Sequence, residues 1–189
     1  MKQAIYGLIL FTFLALPPVA NLLESIMIMH MHMQMPLLVF AGFLIARFFQ
    51  LKFPQFFERW NANGVPGMLL FLIIWLYWMV PRAMDEALTS PFMELFKFFS
   101  LTFLAGIALR DSWKKLGNIE FSIMYIFFTL KFIIMGYLYL AIEDQICNNY
   151  LIIEQKTLGW GSLAMAVCFV IFGFYWHFTD QSEYQKVDL

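Results

Sequence analysis

Six long apolar stretches, joined by short connections, constrain the fold of this chain more than any other feature. They lie near residues 4–23, 26–48, 64–80, 92–109, 121–142 and 159–178. Most approach the roughly 20 apolar residues that a helix needs to cross the hydrocarbon core of a bilayer. Hydrophobic residues make up 62% of the 189 residues, against about 45–50% in soluble domains. The chain is therefore predicted to lie in a lipid bilayer.

Within lipid, a helix satisfies its own backbone hydrogen bonds, so helices are the expected form of each stretch. The sequence predicts an all-α, polytopic transmembrane bundle of about six helices, with residues 1–189 as a single domain. The first stretch also resembles a signal peptide, because Lys2 precedes an apolar run and Pro17–Ala20 follows it. Cleavage there is the alternative reading of that segment.

The distribution of Lys and Arg over the connections predicts the orientation of the bundle, since cytoplasmic loops carry the excess of positive charge. One side has eight basic residues if helix ends are counted, and the other has only Arg82 and Lys156. Both termini are therefore expected in the cytoplasm. The connections near Glu24, near Asp85 and over 143–157 are expected outside, in the periplasm if the membrane is a bacterial inner membrane. The eight are Lys2, Arg47, Lys52, Arg59, Arg110, Lys114, Lys115 and Lys186.

Several functional classes find no support in the sequence. The formal net charge of −1 gives no basic excess for nucleic acid. Two cysteines are too few for a disulfide framework. No nucleophile–base pair, phosphate-binding loop or zinc set is visible, so we do not expect an enzyme.

The most unusual stretch runs from Met27 to Pro36 and alternates methionine with other residues around His30 and His32. Thioethers select Cu(I) among the common metals, and imidazole is a compatible ligand. As a helix, the stretch would place Met27, Met31 and Gln34 or Met35 on one stripe; as an extended segment, it would align all five methionines. Methionine is also a common flexible filler of apolar cores, and that reading stays open.

Other polar residues stand out against the apolar stretches. Met79 could add a sulfur ligand, and Asp85 follows it in a charged segment after Pro81. Lys97 is expected to extend its amine to the membrane interface, with Glu94 one turn before it. Lys131 falls near the middle of the fifth stretch, where a charged amine is costly unless it is paired or hydrated. A partner for Lys131 is therefore expected inside the bundle or on another subunit.

Three groups of residues resemble the CtaG family of cytochrome c oxidase assembly proteins. The stretch His30–Gln34 is similar to the His-Met-x-Gln-His of that family. Trp78–Pro81, followed by Asp85, Ala87 and Leu88, resembles its Trp-His-x-Pro and Asp-x-Ala-Leu. Glu154 and Gln155 before Gly159 resemble its Asp-Gln-x-x-x-Gly. This chain departs from the family at Met79 and at Gln34 or Met35, which stand where histidines are expected, and it has no histidine in the fourth stretch.

The resemblance implies a role at the outer face in delivering copper to an oxidase or another copper enzyme, which would be the membrane protein partner. Methionine in place of histidine favours Cu(I), or it marks a chain that has lost its metal. A non-catalytic accessory subunit of a larger membrane complex is the alternative function, and a small copper transporter is a third. The predicted copper ligands are His30, His32, Met31, Met33, Met35 and Met79, with Asp85 and Glu154 as outer-loop acids near the site and Lys131 as a further functional candidate.

Overall fold

The computed structural model describes residues 2–178, apart from the side chains of residues 118–121 and 176–177. Lys186, which contributed to the predicted orientation, lies outside the described residues. Within them the chain forms nine helices and no strand. The helices are α1 (Lys2–Leu14), α2 (Pro17–Glu24), α3 (Met27–Lys52), α4 (Pro54–Trp60), α5 (Val65–Trp78), α6 (Pro81–Thr89), α7 (Pro91–Trp113), α8 (Asn118–Ala141) and α9 (Ile152–Phe178).

The helices confirm a multi-pass membrane protein. Four of them, α3, α7, α8 and α9, are each long and apolar enough to cross a bilayer. The pairs α1–α2 and α4–α5 pass the same test only when each bent pair is counted as one span. The described residues therefore contain four to six spans.

Two of the six predicted spans differ from one long continuous helix, the first because it is broken and the third because it is short. The stretch 4–23 is divided into α1 and α2, whose axes differ by 70°. Pro17 begins α2, where its missing N–H and fixed φ are tolerated, but it cannot continue α1. The stretch 64–80 contains α5, which meets α4 at 84° and stops before Pro81. The last span instead begins earlier than residue 159, at Ile152.

The Met27–Pro36 stretch is helical, so the extended alternative is wrong. Residues His30–Gln34 form a π-helical segment, in which the N–H of Met35 bonds to the carbonyl of His30. Pro36 has no N–H for the carbonyl of His32 and would crowd it in a regular α-turn. We attribute the wider turn to this proline. A second π segment, Ser100–Gly106, interrupts α7, and such segments are frequent at functional sites.

Helices α3 and α7 pack backbone against backbone. A Cβ built on Gly42 would overlap the carbonyl oxygen of Thr102, and one built on Gly106 would overlap the carbonyl oxygen of Val39. Small residues that let two helices approach closely are typical of packing in membranes. This contact places the second π segment directly against α3.

The two ends of the bundle have different polar residues. At one end, called the Glu24 end, the C-terminus of α2 meets the start of α3, α7 and the connection 142–151. At the other, the Gln3 end, Gln3 of α1 contacts Arg110 of α7, and Asn61 contacts Asp111.

Candidate functional site

Five side chains from four parts of the chain form a buried polar group at the Glu24 end, here called the Lys97 cluster. Glu24 comes from the end of α2, His30 and Gln34 from the π segment of α3, Lys97 from α7, and Tyr150 from the connection before α9. His30, Gln34 and Lys97 are each 0% exposed. An ionisable residue inside a membrane span is a functional-site hypothesis by default.

The Lys97 ammonium is the centre of the cluster. Its Nζ donates to Glu24 Oε1 at 2.6 Å and lies 3.1 Å from His30 Nε2. Gln34 Oε1 is 3.5 Å away, at the limit of a hydrogen bond. An ammonium has three hydrogens to donate and accepts none, so these three acceptors match its full capacity. The expectation that Lys97 reaches the interface is therefore wrong, because a carboxylate inside the bundle neutralises it.

Hydrogen-bond directions around His30 follow from Tyr150. The Tyr150 hydroxyl donates its single hydrogen to the backbone oxygen of Glu24 at 2.8 Å. Its oxygen must then accept from His30 Nδ1, which lies 2.8 Å away. The imidazole is therefore the neutral form with its proton on Nδ1, and the lone pair of Nε2 accepts from Lys97.

Two side chains that the sequence analysis singled out, Asp85 and Gln155, hold the connection 142–151 in place, and Tyr150 is part of that connection. Asp85 of α6 accepts the backbone N–H of Asn148 at 2.8 Å and also contacts the side chain of Asn149. Gln155 Oε1 accepts the N–H groups of Ile146 and Cys147 at 2.7 and 2.9 Å. Asp85 thus stabilises this loop, and it forms no hydrogen bond with any of the predicted ligands.

Burial sets the acid–base chemistry of this connection. Burial, and then the nearby Glu24 carboxylate, raise the pKa of Tyr150, so its hydroxyl remains protonated and able to donate. Burial and then Asp85 raise the pKa of Cys147 to about 11, which leaves an unreactive thiol at neutral pH. Glu154 lies in the first turn of α9 rather than in a loop, and its Oε2 accepts the N–H of Leu151 at 2.9 Å.

Trp78 and Ser100 join the cluster to the second π segment. Trp78 is fully buried, and its Nε1 donates to Ser100 Oγ at 2.9 Å. The Ser100 hydroxyl lies 3.4 Å from the backbone oxygen of Lys97. Trp78 is therefore part of the core beside the cluster.

His32 and Lys131 lie in a different environment from His30. His32 Nε2 is 3.4 Å from Ser162 Oγ of α9, and its ring meets the ring of Phe132 edge-on at 5.7 Å. The Nζ of Lys131 lies 3.9 Å from the centre of the Phe132 ring and 5.7 Å from that of Trp75. Among the described residues, Lys131 forms no ion pair with a carboxylate. Aromatic faces, rather than an acid, surround this buried lysine.

The six predicted ligands do not all converge on one point. Met31 and Met35 are almost completely buried, together with Met27, and they line the core as the helical alternative predicts. Met79 is 6% exposed and belongs to the same core, whereas Met33 is 44% exposed on the outside. His30 and His32 point to separate groups. In the described part of the chain, no three His, Cys, Asp or Glu side chains are arranged to hold a metal ion.

The sequence did not predict that Glu24, Lys97 and Tyr150 belong to one cluster. Lys97 is separated from Glu24 by 73 residues and Tyr150 from His30 by 120 residues. Glu24 was visible as an acid in the connection between the first two stretches, and Lys97 as a base in the fourth. The sequence signal that could have paired them is that Glu24 and Lys97 both lie near the same predicted side of the membrane.

Comparison with known proteins adds no relative to this description. No protein-family model, no curated protein and no solved structure matches the chain.

Proposed function

We propose that this chain is a non-catalytic accessory or assembly subunit of a larger membrane protein complex, with its own Lys97 ammonium in place of a bound metal ion at the Glu24 end. The observation that carries the proposal is the contact of Lys97 Nζ with Glu24, His30 and Gln34. These three acceptors, a carboxylate oxygen, an imidazole nitrogen and an amide oxygen, form a cation site. The ammonium group of the chain's own Lys97 occupies it.

The donor set explains how the site relates to the CtaG resemblance. His30 and Gln34 belong to the stretch that is similar to the first motif of that family. A copper ion bound through His30 Nε2 would need the lone pair that accepts from Lys97. Displacing the ammonium would leave it buried without its carboxylate, which costs about 3–5 kcal/mol when one partner of a buried pair is lost.

The burial of the cluster also favours a structural role over transport. Lys97, His30 and Gln34 are 0% exposed, and Tyr150 is 3% exposed. A substrate crossing at this point would have to break several hydrogen bonds at once. The cluster ties α2, α3, α7 and the connection 142–151 together, which fixes the surface that the Glu24 end presents to a neighbouring subunit.

One observation favours copper handling as a second candidate function. Met27, Met31, Met35, Met79 and Met84 are all at most 6% exposed and belong to one continuous core. Thioethers of this kind bind Cu(I) without a histidine. In this proposal Cu(I) would be held by methionines alone, and the Lys97 cluster would remain intact beside it.

Metal content and complex formation separate the two functions. The protein would be purified from its native membranes in mild detergent under reducing conditions with Cu(I) supplied, and copper would be measured by elemental mass spectrometry. Met31→Leu/Met35→Leu/Met79→Leu removes buried sulfurs at nearly constant volume. Met33→Leu is the matched control, because Met33 lies outside the core.

Two results together would support the accessory-subunit proposal. Copper stays at background, and the protein purifies in a stoichiometric membrane complex that Lys97→Met disrupts. Near-stoichiometric copper that the triple leucine variant loses and the Met33 control retains would support copper handling. Copper that instead disappears in His30→Ala but not in the leucine variant would refute both arrangements, since His30 would then bind the metal in place of Lys97.

A further inference from the structure

A cleft of about 740 Å³ opens at the Gln3 end, far from the Lys97 cluster. Residues of α1, α3, α4 and α7 line it, together with the connection after α7. Cavities of roughly 300–1,000 Å³ are typical of small-molecule sites. The cleft is thus large enough for a ligand of lipid headgroup size.

Positive charge predominates on the walls of this cleft. The basic side chains are Arg47, Arg110, Lys114 and Lys115, and the acidic ones are Glu58 and Asp111. Positively charged pockets between transmembrane helices recognise the headgroups of acidic lipids.

Asp111 is already neutralised within the protein. Its carboxylate accepts hydrogen bonds from Lys115 at 2.8 Å, Asn61 at 2.7 Å and Gln50 at 3.0 Å. Asp111 is 4% exposed, so it presents little negative charge to the cleft. Apart from this neutral ion pair, the charged side chains of the cleft are the basic Arg47, Arg110 and Lys114 and the acidic Glu58.

Arg47 of α3 and Arg110 of α7 both line this cleft. The guanidinium carbon of Arg110 lies 4.6 Å from the centre of the Phe43 ring, and its Nη2 is 3.4 Å from Gln3 Oε1. Among the described residues, neither arginine forms an ion pair with a carboxylate. A guanidinium has five N–H donors, so both arginines retain donors for an anion.

The position of the arginines along their helices suits a phosphate at the membrane boundary. Arg47 comes five residues before the end of α3 at Lys52, which is about 8 Å along a helix. Phe43, Leu51 and Trp113 supply apolar wall beside the charges. Arginine binds phosphate oxygens through two parallel hydrogen bonds, and the apolar wall suits the acyl chains attached to that phosphate.

We infer that this cleft binds an anionic phospholipid, with the lipid phosphate between Arg47 and Arg110 and the acyl chains along Phe43 and Leu51. The site is independent of the function proposed for the Glu24 end, because it uses none of the residues of the Lys97 cluster.

Native mass spectrometry of the detergent-purified full chain tests this site directly. Phosphatidylglycerol and phosphatidylcholine of the same acyl composition would be titrated separately, and the fraction of lipid adduct measured. The variants are Arg47→Gln, which changes an exposed side chain, and Arg47→Gln/Arg110→Gln. Arg82→Gln/Lys156→Gln is the matched control, since it removes the same charge at the Glu24 end.

We expect phosphatidylglycerol to bind more tightly than phosphatidylcholine. The double variant should lower phosphatidylglycerol affinity roughly thirtyfold, and Arg47→Gln alone roughly fivefold, corresponding to about 1 kcal/mol for each arginine near the surface. The control should keep the native affinity, and inorganic phosphate in large excess should leave the lipid adduct unchanged.

Three results would overturn the inference. They are equal binding of the two lipids, an unchanged phosphatidylglycerol affinity in the double variant, and an equal loss in the control. Displacement of the lipid by inorganic phosphate would also overturn it, because the site would then recognise the free anion rather than a phospholipid.

Discussion

The ion pair between Glu24 and Lys97 is the most deeply buried charge pair among the described residues, and we expect its two charges to be strongly coupled. The two atoms are 2.6 Å apart, and the side chains are 9% and 0% exposed. At an effective dielectric constant of about 20, Coulomb attraction at this distance is roughly 6 kcal/mol. Loss of either partner leaves a buried charge, so Glu24→Gln and Lys97→Met should each lower the free energy of unfolding by about 3–5 kcal/mol.

The double variant Glu24→Gln/Lys97→Met leaves neither charge behind. Its loss should therefore fall short of the sum of the single losses by about 2–3 kcal/mol, the upper range of coupling between contacting residues. Equilibrium unfolding in mixed micelles, in which a denaturing detergent is titrated against a mild one, gives all four free energies.

A second cycle on Arg82 and Glu86 provides the control. This pair is also an ion pair, at 3.0 Å, but its side chains are 87% and 46% exposed. Its coupling should stay near 0.3–0.5 kcal/mol, about the value for exposed pairs one turn apart. Additive losses at Glu24 and Lys97, within about 0.5 kcal/mol, would refute the buried-pair reasoning, since the charges would then be stabilised separately by something other than each other.

Three further predictions concern single sites. In a Cys168→Ser variant, which lacks the exposed thiol, Cys147 should react slowly with iodoacetamide at pH 8. Its rate should rise about tenfold per pH unit until the pH nears its raised pKa of about 11. A rate independent of pH would contradict this. Gly42→Ala should destabilise the protein in the unfolding assay by about 1–3 kcal/mol, because the new methyl group meets the backbone of the facing helix. Gly161→Ala should cost less, since its methyl group overlaps only the end of the Ile28 side chain and no backbone atom; equal losses would refute the argument. Lys131→Met should be neutral or stabilising, because the amine has no carboxylate among the described residues, and a loss as large as that of Lys97→Met would reveal a missing partner.

Much of the fold was accessible from the sequence because lipid imposes simple rules. Apolar length alone identified α3, α7, α8 and α9, since a span needs about 20 residues whatever its neighbours are. The helical stripe of Met27, Met31 and Met35 followed from periodicity, and burial of these three side chains agrees with it. The unusual depth of Lys131 was also visible as a charge in an apolar run.

The Lys97 cluster was less accessible, because it depends on contacts between distant parts of the chain. A single sequence shows that Glu24 and Lys97 are charged, but the nearer Glu94 was an equally reasonable partner. The break before Pro17 turns α2 so that the carboxylate of Glu24, its last residue, faces Lys97 of α7. No local rule predicts that direction. The π segment is a further obstacle, because one added residue per turn changes which side of α3 each side chain occupies.

The shortness of α5 has a consequence for the surrounding bilayer. Its 14 residues span about 21 Å at 1.5 Å per residue, against a hydrocarbon core of about 30 Å. The sharp bend to α4 at one end and Pro81 at the other prevent the helix from extending further. Leu69 and Ile73 face outwards, so a bilayer that meets α5 directly would have to thin beside it. Such a hydrophobic mismatch costs a fraction of a kcal/mol per Å, and it would favour a thin membrane or a neighbouring protein that replaces lipid along this one side.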